Sequence, residues 1–132
     1  MGKFLLDTSA ILTLIEGENG AKRVATILRE EETLIPWVVL MESYYISQQE
    51  RGETEANTRY AMLKELPATI LWETNESTLL TAARLKANHR LSFADANIAA
   101  FAIRHNAVLL HKDPEYLALS DLLPQEELPY KK

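Results

Sequence analysis

FLLDTSAILTLIEG, residues 4–17, sets a three-residue apolar run, Phe4 to Leu6, against an acid and then changes its hydrophobic period. A short apolar run bounded by a polar residue reads as a buried strand. Ile11, Leu12, Leu14 and Ile15 then fall at helical spacing and face a core. Thr8 or Ser9 is placed to cap that helix, which runs to about Glu16 until Gly17 ends it. A strand that passes directly into a helix is the opening of an alternating pattern, and the rest of the chain continues it.

Working outward, a second helix is expected from about Gly20 to Glu30, with Val24, Ile27 and Leu28 on one side, followed by a buried strand at Thr33 to Ile35. Pro36 opens a third helix, in which Trp37, Leu40, Met41 and Tyr44 recur at helical spacing until Gly52. A fourth spans about Glu53 to Leu66 and stops at Pro67, and Thr69 to Trp72 has strand composition. Helices follow at about Asn75 to Asn88 and, begun by Ser92, to about His105. Ala107 to Leu110 is a buried strand, and Asp113-Pro114 starts a short last helix. Glu127 to Tyr130 reads as an edge strand, and Lys131 and Lys132 as a solvated end. Short apolar strands separated by helices describe an α/β fold: one domain over residues 1–132, with a central parallel sheet covered on both faces and right-handed crossovers. Ligands of such sheets sit beyond the carboxyl ends of the strands, where strand order reverses.

The composition narrows the function classes. A chain of 132 residues with 14 basic, 19 acidic and 47% apolar side chains is large enough to bury a core without staples. With no cysteine, disulfide scaffolds, thiolate nucleophiles, zinc ribbons and iron–sulfur sites are excluded, and a cytoplasmic location is the simplest expectation. No apolar run is long enough for a bilayer span or a signal peptide, so no membrane role is expected, and Leu6 occupies the place where a myristoylation signal at Gly2 needs Ser or Thr. The net charge of −5 argues against a broad basic surface for nucleic acid. Locally the balance differs: Arg84, Lys86, Arg90, Arg104 and Lys112 stand against Asp95 alone. This basic island either guides phosphate, receives an acidic partner or is simply a set of solvated helix faces.

Four acids stand out. Asp7 and Asp113 each follow a strand closely and project from the carboxyl edge of the sheet, where an Asp also serves as a helix cap. Glu42 has Val38, Val39, Tyr45 and Ile46 as its three- and four-residue neighbours, so its own helix face is apolar. A carboxylate there needs a cation, a hydrogen-bond partner or a solvent-filled cleft. Asp95 repeats this among Leu91, Ser92, Ile98 and Ala99, although Ser92 followed by Asp95 also resembles a capping box. Ion pairs with Lys or Arg account for one or two such acids; a divalent cation with hard oxygen ligands, Mg²⁺ or Mn²⁺, accounts for all four. Ser9 either caps the first helix or hydrogen-bonds a site carboxylate. His89, His105 and His111 read as surface or helix-terminal residues, with His111 near enough to Asp113 to touch a substrate. Tyr44, Tyr45 and Tyr60 read as core or interface residues rather than base-stacking platforms.

Taken together, FLLDTSAIL, PWVVLMES around Glu42, LSFADANIAAFA around Asp95 and AVLLHKDPEY around Asp113 resemble a PIN-domain ribonuclease, in particular the VapC-type toxins of bacterial and archaeal toxin–antitoxin pairs. The resemblance spans almost the whole chain. It implies that Asp7, Glu42, Asp95 and Asp113 form the family's acidic quartet, that Ser9 is its accompanying small polar residue, and that the sheet is parallel. It further implies Mg²⁺- or Mn²⁺-dependent cleavage of single-stranded or loop RNA, a homodimer, and inhibition by a small antitoxin whose C-terminal segment occupies the groove. Ser43 after Glu42 and Lys112 before Asp113 depart from the family pattern without removing an acid. The reaction expected is in-line attack of water on a phosphodiester, leaving 5′-phosphate and 3′-hydroxyl ends. In that scheme Asp7 and Asp95 are the principal ligands, and Glu42 and Asp113 hold metal waters or a second ion. A phosphoaspartate hydrolase of the haloacid-dehalogenase type would need a second Asp where Ser9 stands, and a receiver-like signalling domain fits badly with Pro36 and a helical Glu42. A catalytically silent PIN-like binding module remains as the alternative.

Overall fold

Consecutive apolar residues on a strand must be covered on both faces, and Leu5, Leu6, Ile35, Leu109 and Leu110 are completely buried. The computed structural model describes residues 2–129. In chain order it contains β1 (Lys3–Leu6), α1 (Thr8–Glu16), α2 (Ala21–Glu30), β2 (Glu32–Pro36), α3 (Trp37–Arg51), α4 (Glu53–Lys64), β3 (Thr69–Leu71), α5 (Glu76–Asn88), α6 (Phe93–Arg104), β4 (Val108–His111), a 3₁₀ helix (Pro114–Leu119) and β5 (Gln125–Glu127). The strands form one sheet in the order β3-β2-β1-β4-β5, and every neighbouring pair is parallel. The chain therefore starts at the centre, steps outward through β2 to β3, and returns to the other side of β1 for β4. Strand order reverses between β1 and β4, so their carboxyl ends frame the crevice in which open α/β sheets hold ligands. Leu6 is paired with Leu110, and the Asp7 amide donates to the Leu110 carbonyl at 3.2 Å. The residues that follow each strand are thereby brought side by side.

The helices pack in sequential pairs, α1 on α2, α3 on α4 and α5 on α6. Helix α6 is apolar nearly all round: Ala96, Ile98, Ala99, Ala100, Phe101 and Ala102 are all buried, and its alanines allow close approach on several sides. Arg59 of α4, also buried, donates to Glu16 at 3.3 Å and to Ser47 at 3.1 Å. It clamps the α3–α4 pair onto α1.

The structure adjusts several expected boundaries. The cap of α1 is Asp7, whose carboxylate accepts from the Ala10 amide, rather than Thr8 or Ser9. Gly17 ends α1 as expected, at φ 64°, where a side chain would be strained. Pro36 is the last residue of β2 and the extended residue preceding α3. Strand β4 lies one residue later than expected, because the Ala107 amide bonds to Ala102 and completes the turn out of α6. The edge strand β5 lies earlier than Glu127 to Tyr130, since Gln125 to Glu127 align with Leu109 to His111. Tyr130, Lys131 and Lys132 lie outside the described residues.

Candidate active site

Asp7 is the first residue past β1 and is only 3% exposed. Its carboxylate is shared between two partners. Oδ1 accepts from the Ala10 amide at 2.8 Å and so caps α1, while Ser9 Oγ donates to the carboxylate at 2.7 and 2.9 Å. Ser9 in turn accepts from the Lys112 amide at 2.8 Å, which ties the β1 edge to the segment after β4. Burial raises the Asp7 carboxyl to about 7. Repulsion from Asp95 and Asp113 adds to this, and the bonds from Ser9 and Ala10 oppose it.

Glu42, in the second turn of α3, is half-buried and accepts a hydrogen bond from Thr8 Oγ1. Its apolar helix face thus opens on a polar partner and a solvent-accessible cleft. Asp95 lies in the first turn of α6, where Ser92 caps the helix by accepting from the Asp95 amide at 3.0 Å. The Asp95 carboxylate is not spent on the cap: Tyr116 donates to it at 3.0 Å. Burial first, then Asp113 and Glu42, raise Asp95 to about 6, against the bonds from Tyr116 and Ser92. Asp113 precedes the 3₁₀ helix and caps it by accepting from the Glu115 amide at 2.9 Å.

The four acids act on one another electrostatically, Asp7 with Asp95 and Asp113, and Asp95 with Asp113 and Glu42. The tightest grouping differs from the expected quartet. Ligand oxygens of Asp95, Asp113 and Glu115 lie within 4.8 Å of one another, with Asp7 and Glu42 outside that triad. Among the described residues, none of these five carboxylates has a Lys, Arg or His counterion within 4.0 Å. Lys112, next to Asp113, points instead to Glu18 at 3.3 Å. An all-oxygen donor set, crowded and without cationic partners, fits a hard divalent ion and offers no sulfur to a softer one.

Sequence reasoning overlooked three of these residues. Glu115 stands two positions after Asp113, and Tyr116 one helical turn after it; that spacing was the available signal. Thr8, read only as a cap, faces Glu42. His111 is a correction. It is no surface residue but the fully buried end of β4. The Asp113 amide donates to its Nδ1 at 3.0 Å, so the proton sits on Nε2 and is donated to Gln125 Oε1 at 2.8 Å. Burial holds the imidazole below its ordinary pKa, and the neutral ring fixes the Asp113 backbone. The basic island is divided among separate surfaces: Arg84 and Arg104 line one groove, Lys86 another, and Lys112 is paired with Glu18.

The family model described as PIN domain matches residues 4–122. No curated protein matches the chain. Among solved structures, VapBC2 from Rickettsia felis, bound to a promoter DNA fragment, is similar with a TM-score of 0.76 at 14% identity, covering 96% of this chain and 99% of that one. VapBC-1 from nontypeable Haemophilus influenzae gives a TM-score of 0.73 at 22% identity, covering 95% and 97%. VapC20 from Mycobacterium tuberculosis, described as a sarcin-ricin loop cleaving toxin, gives 0.69 at 16%, covering 87% and 93%. At these identities the likeness is one of fold. The match along most of the sequence, on a parallel sheet whose switch point gathers the acids, establishes that this chain belongs to the PIN-domain family.

Proposed function

We propose that the protein is a Mg²⁺- or Mn²⁺-dependent endoribonuclease, the toxin of a toxin–antitoxin pair, built as one domain over residues 1–132 and acting on RNA in the cytoplasm. The observation that carries this reading is the set of carboxylates without counterions at the switch point of the sheet. Structural neighbours described as VapBC complexes and as a sarcin-ricin loop cleaving toxin support the toxin assignment. They also support a small antitoxin as partner, and the family resemblance implies a second copy of the chain.

In this reading Asp95, Asp113 and Glu115 hold the ion, and Asp7 and Glu42 complete its surroundings. When bound, the ion supplies the positive charge that polarises a water and the scissile phosphate. The chain supplies orientation. Ser9 fixes the Asp7 carboxylate, Thr8 fixes Glu42, Tyr116 fixes Asp95, and neutral His111 fixes the Asp113 backbone. Burial holds the Asp7 carboxyl at about 7, and a cation bound nearby would favour its ionised form.

The test is cleavage of unstructured RNA by the isolated protein. Cleavage should require Mg²⁺ or Mn²⁺, leave 5′-phosphate ends, and vanish in Asp7→Asn and Asp95→Asn variants that remain folded. Cleavage in EDTA or 2′,3′-cyclic phosphate products would overturn the mechanism. Metal uptake without cleavage would mean a silent binding module. A short reading frame beside the gene would separate a toxin from a housekeeping nuclease.

A further inference from the structure

Lys112, one of the two departures from the family pattern, directly precedes Asp113. Its side chain is only 10% exposed. An ammonium withdrawn from water to that degree needs a counter-charge, and the neighbouring acids could supply one. The Lys112 amide nitrogen and the Asp7 carboxylate share a single atom, Ser9 Oγ, which lies 2.8 Å from the first and 2.7 Å from the second. The flexible four-carbon stem of a lysine spans a gap of that size. The ammonium nevertheless turns to Glu18, at 3.3 Å. Among the described residues the five site carboxylates have no cationic side chain within 4.0 Å.

Glu18 is placed for this by its backbone. Gly17, at φ 64°, turns the chain out of α1; the Glu18 amide then donates to the Thr13 carbonyl at 3.0 Å, and its carbonyl accepts from the Ala21 amide at 2.9 Å. The carboxylate is thereby fixed in the turn between α1 and α2, outside the triad of Asp95, Asp113 and Glu115. An ammonium and a divalent ion compete for the same carboxylate oxygens and repel each other beside them. We propose that Glu18 is a positioning residue of the metal site: it holds the Lys112 ammonium away from the acids and so leaves their oxygens open to the cation. The proposal rests on the metal-dependent reading and deepens it, by naming the residue that offsets the cation this chain carries beside Asp113.

The experiment measures Mn²⁺ binding by calorimetry at neutral pH for wild type, Glu18→Gln, Lys112→Met and the double variant, with the fold of each checked by circular dichroism. Glu18→Gln should weaken binding about tenfold, because the released ammonium turns to the acids. Lys112→Met should bind at least as tightly as wild type, and adding it to Glu18→Gln should restore the lost affinity. A plain structural brace gives a different order, since removing either partner breaks it and removing both restores nothing. Glu18→Gln binding as wild type does, or a double variant as weak as Glu18→Gln, therefore overturns the proposal while leaving the metal site standing. Glu18→Asp, which keeps the charge on a shorter stem, should fall between wild type and Glu18→Gln, and it carries the same comparison with Lys112→Met if Glu18→Gln does not fold. If wild type itself takes up neither Mn²⁺ nor Mg²⁺, the metal-dependent reading fails, and this proposal with it.

Discussion

Asp7 is held at about 7 by burial and by its acidic neighbours, which makes it a liability to the metal-free fold at neutral pH. The sign is definite. Its folded value lies above the unfolded 3.8, so its contribution to stability is fully present below pH 4 and is lost as pH rises through 7. His111 works in the opposite sense, since burial lowers its folded value below 6.5 and its contribution is lost on acidification. Asp7→Asn, which keeps a capping oxygen for Ala10, should stabilise the metal-free protein in urea titrations. The gain should be larger at pH 8 than at pH 5 by about 2 kcal/mol. A loss at pH 8 would mean that a hidden cation pairs with Asp7. Tyr116→Phe tests the other raised acid. Removing the 3.0 Å donor to Asp95 should weaken Mn²⁺ binding by about tenfold, measured by calorimetry, with the fold little changed.

At the scale of elements, the site depends on how the loop after β4 is anchored. His111 closes β4, accepts from the Asp113 amide and donates to Gln125 of β5, and the Gln125 amide reaches the Tyr116 carbonyl at 2.8 Å. The short, terminal strand β5 is therefore a support for the acids. Gln125→Leu leaves the buried His111 Nε2–H unpaired and should cost about 1–3 kcal/mol in urea denaturation. It should also weaken Mn²⁺ binding through Asp113, with no change at Glu42. The α3–α6 side is positioned separately, by packing around Trp37 and by the Ser92 cap.

For the molecule as a whole, the acids sit where a parallel sheet of this strand order opens, and among the described residues they have no Lys, Arg or His counterion within 4.0 Å. A divalent ion that binds only the folded arrangement stabilises it by mass action. Mn²⁺ at a hundred times its Kd should add about 2.7 kcal/mol and raise the Tm by about 10 °C. A Tm unaffected by Mn²⁺ and Mg²⁺ would show that the acids bind no metal.

The alternation of strand and helix and the fold class were legible in the sequence, as were the local oddities that single out Asp7, Glu42, Asp95 and Asp113 as candidates. Hydrophobic period, capping residues and the oddity of Glu42 on an apolar helix face are all local signals. Which oxygens meet was not legible. The convergence of Asp95, Asp113 and Glu115, the exclusion of Asp7 and Glu42 from that triad, and the placing of Tyr116 against Asp95 depend on the return of the chain from α6 into β4 beside β1. No local pattern encodes that step. His111 shows the same limit: one residue of strand register turns an apparent loop histidine into a buried, neutral tether. The dispersal of the basic island arose likewise, because neighbours along a helix diverge around its axis. Side-chain direction, and not sequence distance, decides which charges share a surface.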